Sequence, residues 1–349
     1  MMRAYLDHNA TTPLRPEARE AMIGSMSLIG NPSSVHSEGR AAKSALEKAR
    51  QTVASAFGAD GAEVVFTSSA TEAASLALQG RDILGCDVEH DAVRAWVADV
   101  HSHAVDSTGA VTVIDPRSST LQLANSETGV IQSLPQGLSV TDATQAFGKL
   151  PVAFNWLGAD MAIVSAHKLG GPKGIGALVM KRGIDLEARL KGGGQEMGRR
   201  AGTENIIGAV GFAAAAEAAQ RDIERGIWSD IEKLRDLLEE TIESAANETI
   251  FVGKGANRLP NTSCFAVPGW KGETQVMQMD LAGYAISAGS ACSSGKVKAS
   301  AVLQAMGYDA TTASSAIRVS LGPQTTEQEV MGFAKAWLAQ WQKFRARAA

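Results

Sequence analysis

Lys168 stands in the middle of the run MAIVSAHKLGGPKG, Met161 to Gly174, in which an apolar stretch delivers Ser165, His167 and the lysine to a glycine-rich turn. In open α/β sheets the carboxyl ends of the strands face the ligand crevice. A lysine buried there can lose its proton and become a Schiff-base-forming nucleophile, although taken alone it reads more readily as a surface lysine after a strand. A second strand end, in VTDATQ from Val140 to Gln145, presents Asp142 and then Gln145. A carboxylate so placed keeps a pyridine nitrogen protonated, which makes the ring of pyridoxal phosphate an electron sink. Gln145 is suited to hydrogen-bond the ring hydroxyl. Asp142 as a turn or helix cap accounts for its own position but not for the companion lysine. A third segment, FTSSATE from Phe66 to Glu72, runs from a strand into a helix start. Its hydroxyls and free N–H groups suit a phosphate there, and Ser69 or Thr71 serves equally as a plain N-cap.

Presenting these groups together requires strands that end on one edge, and the first two hundred residues supply them. Short β-branched runs alternate with alanine-rich helical stretches, the pattern of a mostly parallel sheet covered by helices. Expected strands are Glu63 to Phe66, Val111 to Ile114, Leu121 to Ala124, Leu138 to Thr141, Met161 to Val164 and Gly176 to Met180. Helices are expected over Pro16 to Met26, Ser37 to Ala56 and Thr71 to Leu78. Apolar residues at Ile227, Ile231, Leu234, Leu237, Leu238 and Ile242 mark a long amphipathic helix from about Arg225 to Ser244. Beyond it, Thr249 to Val252 and Thr262 to Val267 read as strands and Glu327 to Phe344 as a terminal helix. A domain boundary is placed at the start of the amphipathic helix, with no low-complexity linker, so the two domains should pack closely.

The chain has 349 residues, 33 basic and 37 acidic, a net charge of −4 and 35 glycines without a repeat period. That length accommodates two domains with sizeable cores, and the charge gives no reason to expect nucleic-acid binding. The most apolar stretch, Ile206 to Ala216, is too short to span a bilayer. Asp7 and His8 occupy the place of a signal peptide's apolar run. Three cysteines, Cys86, Cys264 and Cys292, lack C-x-x-C spacing, which argues against a disulfide framework or structural zinc and for a reducing cytoplasm.

The segments LDHNATTP, GNPSSVHSEGR, TSSATEAASLAL, ANSETGVIQ, DATQAFGKLP, SAHKLGGPKGIGAL, GGG with RRAGTEN, SAGSACSS and SAIRVSLG occur in this order through almost the whole chain. In them the sequence resembles the cysteine desulfurases of the class V aminotransferase family, the sulfur-mobilising enzymes of iron–sulfur cluster assembly. The resemblance implies a type I pyridoxal phosphate fold: a large domain over 15–224 with a mostly parallel mixed sheet, and a smaller α+β domain of 1–14 plus 225–349. It implies that Lys168 carries the cofactor, that Asp142 meets the ring nitrogen and Gln145 the ring oxygen, and that Thr71, Ser165 and His167 hold the phosphate. His90 matches a histidine that stacks on the ring and shuttles protons. Thr203 matches a residue that reaches the neighbouring subunit's phosphate, which implies a homodimer with shared active sites. Arg318 matches the arginine that pairs with the substrate carboxylate, a task for a bidentate guanidinium. Cys292, among Gly289, Ser290, Ser293, Ser294 and Gly295, matches the nucleophile that takes sulfur from L-cysteine and leaves L-alanine. A sulfur-acceptor or scaffold protein would receive it.

Cys264 in its apolar run is expected to be a buried hydrophobe, and Cys86 has no companions. Ser126 stands where the family usually has a second asparagine near cofactor and substrate. The connections from His90 to Ser126 and from Glu127 to Asp142 are short for the family, so the helix that normally precedes the Asp142 strand is expected to be a loop. His101 and His103 would lie on one strand face but lack a third metal ligand, so no metal is expected. Two other readings remain open: another enzyme of the fold, such as an aminotransferase or a selenocysteine or cystine lyase, and a non-catalytic homologue that binds a partner as a scaffold.

Overall fold

The N-terminal segment first joins the far end of the chain. In a computed structural model that describes residues 3–289 and 299–348, β1 (Ala4–Tyr5) pairs in parallel with β10 (Tyr284–Ala285). Residues 7–15 then cross to the other half of the molecule, where Thr12 donates its N–H to the carbonyl of His167 at 2.8 Å and Arg15 to that of Gly170 at 2.9 Å.

Helices α1 (Pro16–Ser25) and α2 (Ser37–Ala56) follow. Proline begins α1, where its missing N–H costs nothing. His36 Nδ1 accepts from Gly39 to cap α2, which buries Gly39, Ala42, Leu46, Ala49 and Val53 on one face. Next come β2 (Glu63–Thr67), α3 (Ala70–Leu78), the short α4 (Asp91–Arg94) and a hairpin of β3 (Ala104–Val105) and β4 (Val111–Thr112). Then follow β5 (Leu138–Asp142), β6 (Ala159–Ser165), β7 (Gly176–Met180) and α5 (Ile206–Glu224).

The strands form a sheet in the order β2-β7-β6-β5, in which β5 and β6 are parallel and β7 runs against both neighbours. Beyond β5 the parallel direction continues as isolated bridges, Thr120 with Val140 and Leu84 with Ser119. Leu121 to Ala124, expected to be a strand, is therefore an extended segment: the N–H groups of Leu121 and Leu123 bond to Val140 and Asp142, but no regular ladder forms. Residues 128–137 contain no helix, as the short connection implied.

One face of the sheet packs on α1, α2 and α5 through Phe57, Phe66, Phe147 and Phe212, whose rings lie 4.6–6.5 Å apart in successive pairs. The helix α5 was not anticipated as such, because it is buried almost all round and its run of alanines carries no apolar stripe. The other face buries Leu76, Leu78, Ile163 and Leu178 under α3.

The rest of the chain forms α6 (Ile227–Ala245), β8 (Ile250–Phe251), β9 (Thr262–Ala266), α7 (Gly272–Leu281), β10, β11 (Ser287–Ala288), α8 (Ala301–Ala305), α9 (Ala310–Ser315), β12 (Ala316–Ser320) and α10 (Glu327–Ala348). Its antiparallel sheet, β11-β12-β9-β8, shares a core of Trp270, Phe265, Phe333 and Trp337 with Ala4 and Leu6 of the N-terminal segment. The β3–β4 hairpin packs Val105 and Val111 into a further cluster with Val302, Leu303 and Met306. Among the described residues no helix is long and apolar enough to cross a membrane.

Candidate active site

β5 and β6 are adjacent and parallel, so Asp142 and Ser165 emerge from the same edge. A 3-10 turn, Ala166–Lys168, follows β6 directly and turns His167 and Lys168 into the crevice. Opposite, α3 begins with Ser69 as N-cap, its hydroxyl accepting from Glu72. β7 brings Gly176 against this helix start: a Cβ there would lie 2.8 Å from the Ser69 carbonyl carbon and 3.0 Å from the Ala70 nitrogen. Only glycine lets α3 sit this close to the strand.

These elements enclose a cavity of about 200 Å³ lined by Ser69, Thr71, His90, Ser126, Asp142, Gln145, Ser165, His167 and Lys168. The structure therefore assembles around one space eight of the eleven site residues expected from the sequence. Thr144 also lines it, and its buried hydroxyl has no hydrogen-bond partner among the described residues.

The lysine amine donates to the carbonyls of Asn9 at 2.6 Å and Ala10 at 2.9 Å. Gln145 Nε2 donates to the same Asn9 carbonyl at 3.0 Å. Asp142 Oδ1 accepts from the Thr144 N–H at 2.9 Å. His167 Nδ1 meets Thr11 Oγ1 at 3.1 Å, and burial together with the charges of Lys168, Lys173 and Lys149 pushes its pKa down to about 4. An imidazole held neutral at physiological pH can offer one N–H and one acceptor. His90 caps the single turn of α4, accepting from Ala92 at 3.1 Å.

Three residues that sequence reasoning did not single out belong to the same network. Asn9 was quoted only as part of LDHNATTP, yet its carbonyl receives both the lysine and the glutamine. Lys149 follows Gln145 by four positions, a helical spacing that could have suggested the contact. Glu89 is fully buried beside Gln122, whose N–H it accepts at 2.7 Å, and its second oxygen has no partner among the described residues. Burial, reinforced by the charge of Asp142, raises its pKa to about 8.

Two predicted residues lie elsewhere. Arg318, in β12, is buried next to the cavity rather than lining it, with Nη2 on Asp7 at 2.8 Å and Nη1 on the Ser126 carbonyl at 3.0 Å. Thr203 is exposed and lines a separate small cleft with Thr67, Glu196 and Arg200. Cys292 lies outside the described residues. Cys86 and Cys264 are both buried, and burial raises the Cys264 thiol to about 12. His101 and His103 occupy a turn before β3 instead of a strand face; His101 pairs with Asp87 at 2.5 Å, and both ring nitrogens of His103 are buried without a partner among the described residues.

A lysine and a carboxylate on adjacent strand ends, facing a helix N-terminus across one cavity, define the class. The model of the aminotransferase class-V family matches residues 4–333, and the chain belongs to that family. Its curated relatives are more particular. It is 40% identical to a cysteine desulfurase of Cereibacter sphaeroides over 95% of this chain and 93% of that protein. It is 35% identical to the cysteine desulfurase IscS of Dictyoglomus turgidum, over 93% of this chain and 91% of the other. Among solved structures, a NifS-like protein from Rickettsia africae superposes with a TM-score of 0.88 at 29% identity, covering 97% of this chain and 99% of that one.

Proposed function

We propose that the protein is a cysteine desulfurase that converts L-cysteine to L-alanine and takes the sulfur onto Cys292 as a persulfide. The observation that carries this reading is the convergence of Lys168, Asp142, Gln145 and the start of α3 on one cavity, in a chain whose relatives are cysteine desulfurases.

The residues present fit pyridoxal phosphate. An amine, a carboxylate and an amide donor stand at one end, and the α3 start offers free N–H groups with Ser165 and His167 close by. The unpartnered Thr144 hydroxyl is a further polar group waiting for a ligand. When bound, this cofactor supplies an electron sink for negative charge at the substrate Cα. Asp142 would keep the proton on the ring nitrogen, Gln145 would donate to the ring oxygen, and Thr71, Ser165 and His167 would hold the phosphate. His90 would cover the ring face. Lys168 would bind the cofactor and later remove the Cα proton as general base. Arg318, with Ser126 beside it, would receive the substrate carboxylate.

The Cys292 thiolate forms an S–S bond to the substrate sulfur as the substrate C–S bond breaks. The electron pair stays with the substrate carbon, which takes up a proton and becomes the methyl group of alanine. L-Cysteine and a thiol thus give L-alanine and a persulfide, with no external oxidant. The exposed Thr203 suits a homodimer in which it completes the other subunit's phosphate site. A sulfur-acceptor or scaffold protein would then unload Cys292 for iron–sulfur clusters or other thio-cofactors. The unpaired buried thiols Cys86 and Cys264 are consistent with a reducing compartment such as the cytoplasm.

The test is incubation with L-cysteine, measuring alanine and sulfide while trapping persulfide on Cys292. Equal alanine and trapped sulfur are expected at first turnover, and Cys292→Ala should abolish both. Alanine at the parental rate from Cys292→Ala would overturn the persulfide route in favour of a lyase.

A further inference from the structure

We propose that Lys149 is a positioning residue for the cofactor: it fixes the Gln145 amide with its oxygen turned inward, so that the amide N–H group is presented to the cavity as a donor. The inference rests on the pyridoxal phosphate reading above and adds to it a residue outside the cavity lining.

Lys149 Nζ donates to Gln145 Oε1 at 2.6 Å and to Asn9 Oδ1 at 3.1 Å. Both contacts need only N–H groups, which an amine has in either protonation state. A glutamine amide is nearly symmetric in shape and must be oriented by its partners. With the short contact to Lys149 on one side, the oxygen is committed inward. Nε2 is then left on the opposite side, where it donates to the Asn9 carbonyl at 3.0 Å, beside the Lys168 amine on that same carbonyl. The rest of the network allows no easy reversal. Asn9 Oδ1 also accepts from Asn261 at 3.1 Å, while Asn9 Nδ2 donates to Thr262 Oγ1 at 2.8 Å. Flipping Gln145 would aim two N–H groups at the lysine and leave the cavity side with an acceptor only.

The placement is costly for stability. Lys149 is 3% exposed and makes no ion pair among the described residues. Burial and the like charges of Lys168 and Arg318 hold its pKa well below the ordinary value. A buried amine without a counter-charge is costly to desolvate and is kept where its hydrogen bonds answer buried acceptors. A lysine here is explained by what it does to Gln145.

The apo protein should be titrated with pyridoxal phosphate, following tryptophan fluorescence and the visible band, for the parent, Lys149→Met, Gln145→Ala and the double variant. Lys149→Met removes the buried amine but leaves Gln145 Oε1 without its donor, and it should bind pyridoxal phosphate about three- to tenfold more weakly. Its visible band should move toward shorter wavelength as the ring oxygen loses its donor. In the Gln145→Ala background the same change should add nothing, because the lysine acts through the glutamine. If methionine prevents folding, Lys149→Gln, which keeps a donor of shorter reach, replaces it in the same cycle. Unchanged affinity and band, or an equal loss on top of Gln145→Ala, would overturn the proposal. A parent that takes up no pyridoxal phosphate would instead overturn the cofactor reading on which it rests.

Discussion

The carbonyl oxygen of Asn9 accepts hydrogen bonds from Lys168 Nζ at 2.6 Å and from Gln145 Nε2 at 3.0 Å. Asn9 belongs to a segment whose preceding residues pair with β10 and bridge to Ser320. The reactive amine is therefore held by backbone that originates in the other sheet's half of the molecule. Any ligand that recruits Lys168 must draw it from these two carbonyls.

Replacing Lys168 tests the assignment of the amine directly. Lys168→Ala should lose the base and the covalent hold together, and alanine formation should fall by about 10²–10⁴-fold or more. Reduction with borohydride followed by dialysis should leave the parent coloured or fluorescent and the variant blank. Retained label in Lys168→Ala would move the covalent link to another lysine, with Lys149 the nearest candidate.

The lysine, the aspartate and the hydroxyls around the cavity were legible because each sits at or just beyond a strand end, where apolar periodicity stops and polar residues begin. What joins them was not. Asn9 reaches the site by a crossing that no local pattern encodes, and Arg318 reaches its edge through antiparallel pairing of β12 with β9 and β11. The helix α5 was hidden for a related reason: buried between α1 and α2 on one side and the sheet on the other, it needs small residues all round, and a uniform run has no period to read. The extended segment at Leu121 to Ala124 has a strand's composition, but the short chain around it supplies only isolated bridges.

Glu89 should make stability fall as pH rises. In the unfolded chain it ionises near its ordinary value of 4.5, whereas the fold holds it protonated to about 8. Between those values the folded state binds more protons, so its stability is full below about pH 4.5 and declines until the group ionises near pH 8. Glu89→Gln keeps an acceptor for the Gln122 N–H and removes the titration. Its stability curve in denaturant should be flatter over this range and higher than the parent's above pH 8, by on the order of a few kcal/mol. Parallel pH curves for the two proteins would show that Glu89 is ionised throughout.

Arg318 should govern substrate capture more than turnover. Its guanidinium already meets Asp7 and the Ser126 carbonyl, which orient it next to the cavity. A lysine cannot reproduce the forked geometry. Arg318→Lys should raise KM for L-cysteine by about ten- to a hundredfold, the size expected for a charge-assisted hydrogen bond. The fall in kcat should be smaller. An unchanged KM would place the substrate carboxylate on a different cation.

Glu196 supports the site from behind. Its carboxylate bonds to Arg50 through both oxygens, at 2.6 and 2.9 Å, and accepts the Phe66 N–H at 2.9 Å. Phe66 lies in β2, which leads into α3, so this pair fixes the strand that delivers the helix start lining the cavity. Glu196 also adopts a left-handed conformation, with φ of 48°, which a non-glycine residue keeps only when its surroundings hold it there. The Glu196 side chain is 2% exposed and that of Arg50 12%, and without Glu196 the guanidinium keeps only the longer 3.3 Å ion pair with the half-exposed Glu47. Glu196→Ala should destabilise the protein by about 3–5 kcal/mol in urea unfolding and weaken binding of pyridoxal phosphate as β2 and α3 shift. Arg50→Met with Glu196→Met should recover part of the stability, since neither charge is then left alone. If the single variant unfolds at the parental urea concentration, the pair is solvated in solution and β2 is held by its pairing with β7 and its core packing.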